Sequence, residues 1–96
     1  MQLNRKLTNV LRGRTIQSES GDAASLTVTF DDRSTLKLKV AGQATVPVGA
    51  KVKAVHESGD QFQIDVENGP SVQVRLADPG SSVAVHDRNG AVEYLG

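Results

Sequence analysis

Apolar side chains recur along this chain in two rhythms. Near the start, Leu3, Leu7, Val10 and Leu11 fall at i, i+4, i+7 and i+8, one stripe of a helix. Asn4 is suited to cap its beginning, and Gly13 to supply the left-handed residue that ends it. A helix of about nine residues is marginal alone. The pattern therefore predicts that its stripe covers the open side of a sheet.

After Gly13 the period becomes two. Leu26, Val28 and Phe30 alternate with Thr27 and Thr29, and Leu36, Leu38 and Val40 alternate with Lys37 and Lys39. The turn cluster Asp31-Asp32-Arg33-Ser34 separates them, so the two runs read as a hairpin with one apolar face and one wet face. Phe62, Ile64 and Val66, then Val72, Val74 and Leu76, repeat the pattern around Asn68-Gly69, a strong hairpin signal. A third hairpin is expected from Val83 and Val85, the turn Asp87-Arg88-Asn89-Gly90, then Val92 and Tyr94.

A shift of 36 residues lays Leu26, Val28, Phe30, Leu36, Leu38 and Val40 on Phe62, Ile64, Val66, Val72, Val74 and Leu76. The outward Thr27, Thr29, Lys37 and Lys39 then fall on Gln63, Asp65, Gln73 and Arg75. Upstream, Glu19-Ser20-Gly21-Asp22 recurs as Glu57-Ser58-Gly59-Asp60, two residues out of step, which suggests a shorter loop in the second copy. The expected strands are roughly 14–19, 25–31 and 34–40, then 51–57, 61–67 and 71–76, an internal repeat of 14–40 in 51–76. Shared alternation and ordinary Ser-Gly-Asp turn chemistry would also give such a likeness without duplication. Arg33 stands where the second copy has Gly69, at a place where tight turns favour positive φ.

Neither three-stranded meander can bury its apolar face alone. The expected fold of residues 1–96 is thus a single all-β domain with a short N-terminal helix. It holds two three-stranded antiparallel meanders and a C-terminal hairpin. The strand and turn pattern is similar to SH3-like barrels, so a partly open SH3-like barrel or roll is the first expectation and a two-sheet sandwich the alternative. That likeness carries no diagnostic residue and implies nothing about function.

Composition narrows the chemistry. The 96 residues include no Cys and no Trp, which removes disulfides, cysteine-ligated metals and cysteine nucleophiles. No signal-peptide core or membrane-length apolar run occurs, so a cytoplasmic protein is expected. His56 and His86 are the only histidines, each beside a carboxylate (Glu57, Asp87), and they form no close metal-binding pair in sequence. No serine lies in a nucleophile-elbow or Ser-x-x-Lys motif. Asp31, Asp32, Asp60 and Glu67 all take turn or outward positions. Neither an enzyme nor a cofactor or metal protein is expected. The loop Ala77-Asp78-Pro79-Gly80-Ser81-Ser82 could cradle an anion on backbone N–H groups, although a plain turn accounts for it.

A formal net charge of zero hides a polar chain. Residues 1–53 carry nine basic against four acidic side chains, or +5, and residues 54–96 two against seven, or −5. The halves could neutralise one another, or drive docking and self-association. A third reading makes Arg5, Lys6, Arg12, Arg14, Lys37 and Lys39 a basic binding face for phosphate backbones. The last is weakened because Phe30, Phe62 and Tyr94, the only aromatics, fall on inward parity and leave none for base stacking. The basic helix is read as core cover, with no membrane partner expected. On the last strand, Val92 and Tyr94 are expected to face one way and Leu95 the other, giving an edge for pairing with another chain. The resulting expectation is a non-catalytic interaction or assembly module with a protein partner or self-association. The alternative is weak nucleic-acid binding through the basic half.

Overall fold

The alternating runs around Val28, Leu36, Ile64, Val74 and Val85 are strands. A computed structural model describes residues 1–96. Its elements are β1 (Gln2–Leu3), α1 (Arg5–Leu11), β2 (Ile16–Gly21), β3 (Ser25–Phe30), β4 (Thr35–Lys39), β5 (Val52–Ser58), β6 (Gln61–Val66), β7 (Val72–Arg75), β8 (Val83–His86) and β9 (Val92–Leu95). They form a five-stranded antiparallel sheet, β2-β3-β4-β8-β9, and a four-stranded one, β1-β5-β6-β7.

The inward residues of both sheets meet in one cluster of 19 buried apolar side chains. Val28 is 0% and Ile64 1% exposed, so each meander lays its apolar face against the core. Phe30 and Phe62 are also fully enclosed. Full burial of such a side chain stabilises by about 1.5–3 kcal/mol.

The SH3-like barrel does not close, and the two-sheet sandwich is the form adopted. The outer edge of β4 is taken by β8 through four residue pairs. Only the single bridge Val40–Leu76 joins that corner to the other sheet. At the opposite corner Thr15 bridges Lys51.

Both bridges join residues 36 apart, and the ladders keep the same offset. Leu26 faces Leu38 as Phe62 faces Val74, and Val28 faces Leu36 as Ile64 faces Val72. A bulge follows Ile16 in β2 and Val52 in β5. The offset holds through the first loops: Gly21 faces Leu26 as Glu57 faces Phe62. The expected two-residue slip is therefore absent. Inward alternation fixes register, because one residue of slip would turn every buried side chain outward. The two Glu-Ser-Gly-Asp runs are turn chemistry at inequivalent places.

The second turns differ. In the first meander Arg33 has φ 70°, and in the second Asn68 has φ 60°, one position earlier in the repeat frame. Gly69 has no positive φ, so Asn68-Gly69 does not make the tight two-residue turn that its sequence suggests. Five residues, 67–71, connect β6 to β7.

Helix α1 closes the side of the sandwich beside β5. Asn4 Oδ1 accepts from Leu7 N (3.0 Å), and Gly13 leaves the helix at φ 89°. Leu7, Thr8 and Leu11 are buried. Thr8 Oγ1 accepts from Val55 N (2.9 Å), while Asn4 N donates to Val55 O (2.8 Å). The helix thus satisfies the β5 backbone just beyond its pairing with β1. Leu3 is not part of the helical stripe: it lies in β1, opposite His56, and is exposed. No helix is long and apolar enough to cross a membrane.

Candidate ligand groove

The wet face of the five-stranded sheet is ordered by register. One row crosses it as Thr27, Lys37, Ala84 and Leu95, and a second as Thr29, Thr35, His86 and Val92. Along β4, Lys37 and Lys39 share this face, about 7 Å apart at the strand rise. Where the first row meets the loop 80–82 the surface forms an open groove of about 720 Å³. Its lining includes Thr27, Lys37, Lys39, Ser81, Ala84 and Leu95. Lys37 and Lys39 are exposed, and neither forms an ion pair.

A bulge in β9 sets Val92 on the same outer face as Leu95, which lines the groove. Val85 faces Tyr94 but His86 faces Val92, so Glu93 is an extra residue. Val92 and Tyr94 therefore point to opposite faces, contrary to simple alternation. Tyr94 packs against the core and its hydroxyl accepts from Asn4 Nδ2 (2.9 Å). Val92 and Leu95 share the outer face, 56% and 68% exposed.

Arg14 does not belong to an open basic face. Its guanidinium donates to both carboxylate oxygens of Glu93 (2.8 and 3.1 Å) and to Ser34 Oγ (2.8 Å), and lies 3.5 Å from Asp32. Its side chain is 17% exposed. Arg14 is a clasp joining the start of β2, the β3–β4 turn and β9. The bulge residue Glu93 gave no sequence signal for this role, because bulges are invisible to strict alternation. Arg5, Lys6 and Arg12 stand exposed on or beside α1 without ion-pair partners, away from the groove lining.

The loop 77–82 is mostly spent on itself. Asp78 N donates to Ser82 Oγ (2.9 Å), Ser82 Oγ donates to Asp78 O (2.6 Å), and Ser81 N donates to Asp78 O (3.2 Å). It shapes one end of the groove as a turn, with Gly80 at φ 85°.

The histidines sit on different sheets. His86 faces Thr35 and Val92, whereas His56 lies on β5 with Nδ1 3.2 Å from Asp65 Oδ2, without hydrogen-bond geometry. Burial disfavours charged Asp65 and is the largest single influence. Hydrogen bonds from Ser71 and Gln63 and the charges of His56 and Lys53 together outweigh it, holding the carboxyl below its ordinary value. Ser71 bonds Asp65 Oδ1 (2.6 Å), which leaves no serine–histidine–carboxylate relay here. No group of three or more His, Asp or Glu lies close enough to hold a metal.

Comparison with protein-family models, curated proteins and solved structures finds no match.

Proposed function

We propose that the protein is a non-catalytic interaction module that holds an extended acidic segment of a partner protein in the groove over β4 and β8. The observation that carries this reading is the pairing of Lys37 and Lys39, free of intramolecular acids, with the apolar surface of Ala84 and Leu95. Complementary charge supplies steering and register, and the apolar wall supplies desolvated contact. The equal register, bulges and corner bridges of the two meanders support reading them as copies of one duplicated unit.

Fluorescence anisotropy of a labelled Glu-rich peptide tests the assignment. Binding at low salt should weaken steeply as salt rises and vanish in Lys37→Glu/Lys39→Glu. Absence of wild-type binding, or retention by the double variant, overturns it.

A second reading, backbone binding of nucleic acid, draws on unpaired Arg5, Lys6 and Arg12. Burial of Phe30 and Phe62 denies it base stacking. An oligonucleotide that binds at about 50 mM salt and is released by Arg5→Glu/Lys6→Glu would favour it.

A further inference from the structure

We propose that Lys39 and the space beside Ala24 form a carboxylate subsite, and that Ala24 keeps this subsite open for the acid of a partner. The inference rests on the reading of the groove as a site for acidic segments. It starts from a second surface groove, of about 460 Å³, lined by Met1, Asp60, Gln61, Gln73, Val74 and Arg75. At the 36-residue offset, Ser25, Lys37, Leu38 and Lys39 of the first groove fall on Gln61, Gln73, Val74 and Arg75 of the second. The second groove thus corresponds to the end of the first at Ser25 and Lys39, where Ala24 stands next to the lining rather than in it.

Their cations have different fates. Arg75 Nε lies 3.0 Å from Asp60 Oδ2 and is neutralised by it. The equivalents of Arg75 and Asp60 are Lys39 and Ala24. The carbonyls here are used alike: Ala24 O accepts from Val40 N (3.0 Å), and Asp60 O accepts from Leu76 N (2.6 Å), although the turns differ one residue earlier, where Gly59 has φ 59° and Ala23 has no positive φ. Ser25 faces Lys39 as Gln61 faces Arg75. At the 36-residue offset Ala24 carries a methyl group where the second meander carries a carboxylate. The internal Asp60–Arg75 pair is a template for how an external acid meets Lys39.

Two other acids stand nearby and neither takes this place. Asp22 Oδ1 accepts from Ala24 N (2.8 Å) and Ser25 N (3.0 Å), so it is held in its own turn. Asp78 adjoins the strand end through Ala77 N, which donates to Lys39 O (2.9 Å). Neither Asp22 nor Asp78 pairs with Lys39. A solvent-exposed ion pair of this kind is worth at most about 1 kcal/mol, which is about fivefold in affinity.

Calorimetric titration with a synthetic alternating Glu-Val octapeptide separates the possibilities. Ala24→Asp should supply the missing acid internally and weaken binding about fivefold, while the isosteric Ala24→Asn stays within about twofold of wild type. Asp60→Asn should release Arg75 and add a second, weaker site, seen as new peptide-induced amide shifts at Gln73 and Arg75. Equal binding by Ala24→Asp and Ala24→Asn overturns the subsite, as does an Asp60→Asn protein with no new shifts at Arg75. A wild-type chain that binds no acidic peptide sinks the groove reading along with it. Binding that responds to Lys37→Glu but not to Ala24→Asp sinks the subsite alone.

Discussion

The two meanders share a ladder but show solvent two different surfaces. Inside, Leu26, Val28 and Leu38 are matched by Phe62, Ile64 and Val74, all buried. Outside, Lys37 and Lys39 lie open beside Leu95, whereas Gln73 is neutral and Arg75 is held by Asp60. Packing limits what can change on the inner face, since each buried position must stay apolar and close to its volume. The outer face carries no such limit. Differences there place the open cations on the sheet that β8 and β9 extend.

Removing matched core residues gives the largest expected effects. Phe62→Ala should cost about 3–5 kcal/mol and its counterpart Leu26→Ala about 2–5 kcal/mol in denaturant unfolding. Loss of under about 1 kcal/mol at either would break the equivalence, because one meander would then not be packed against the other.

The Arg14 clasp comes next. Its counterpart at the 36-residue offset is Ala50, so only the first meander has it. Arg14→Ala should destabilise by about 2 kcal/mol, since Glu93 loses two charge-assisted hydrogen bonds in a partly buried place. A change of under about 0.5 kcal/mol, measured the same way, would return Arg14 to the solvent-facing basic set.

Acid sensitivity should be divided between the halves. Asp32 is held below its ordinary value in the first meander and Asp65 in the second. For Asp32, burial is the largest influence and opposes charge, but hydrogen bonds from the Ser34 hydroxyl and N–H, with Arg14 beside it, outweigh burial. Both folded values are depressed, so the stabilisation is present above the unfolded pKa of about 3.9 and is lost as pH falls through the folded values. Asp32→Asn and Asp65→Asn should each flatten part of the decline in stability below about pH 4. An unchanged pH profile in both would mean that these contacts are not kept in solution.

The smallest expected effect is at Arg33. A non-glycine residue at positive φ carries about 1 kcal/mol of strain, offset in part by the greater unfolded-state freedom of glycine. Arg33→Gly should therefore be neutral or stabilising by up to about 1 kcal/mol. Destabilisation of more than about 1 kcal/mol would show that the Arg33 side chain makes a contact of its own.

Much of this architecture was legible in the sequence because alternation reports burial directly. The inward sets around Val28 and Ile64, the Asn4 cap and the Gly13 exit all follow from local rules. What escaped has a common physical origin, in choices settled between distant segments. The extra residue at Glu93 turns Val92 outward, and nothing near it in sequence announces the bulge. Leu3 fits a helical stripe equally well, but pairing with His56 draws it into a strand. Arg14 looks like a free cation until the fold brings Glu93 to it from 79 positions away. The groove was legible only in pieces: Lys37, Lys39 and Leu95 were singled out, but their common face depends on β4 pairing with β8 and β8 with β9. The equivalence of Ala24 and Asp60 was hidden by the misleading likeness of the two Glu-Ser-Gly-Asp runs.

Amide chemical shifts of the wild-type protein during titration with an acidic peptide test the central claim most directly. Shifts concentrated at Thr27, Lys37, Lys39 and Ala84, with Gln61, Gln73 and Arg75 unmoved, are the predicted result. Equal movement at both sets, or none at either, would contradict it.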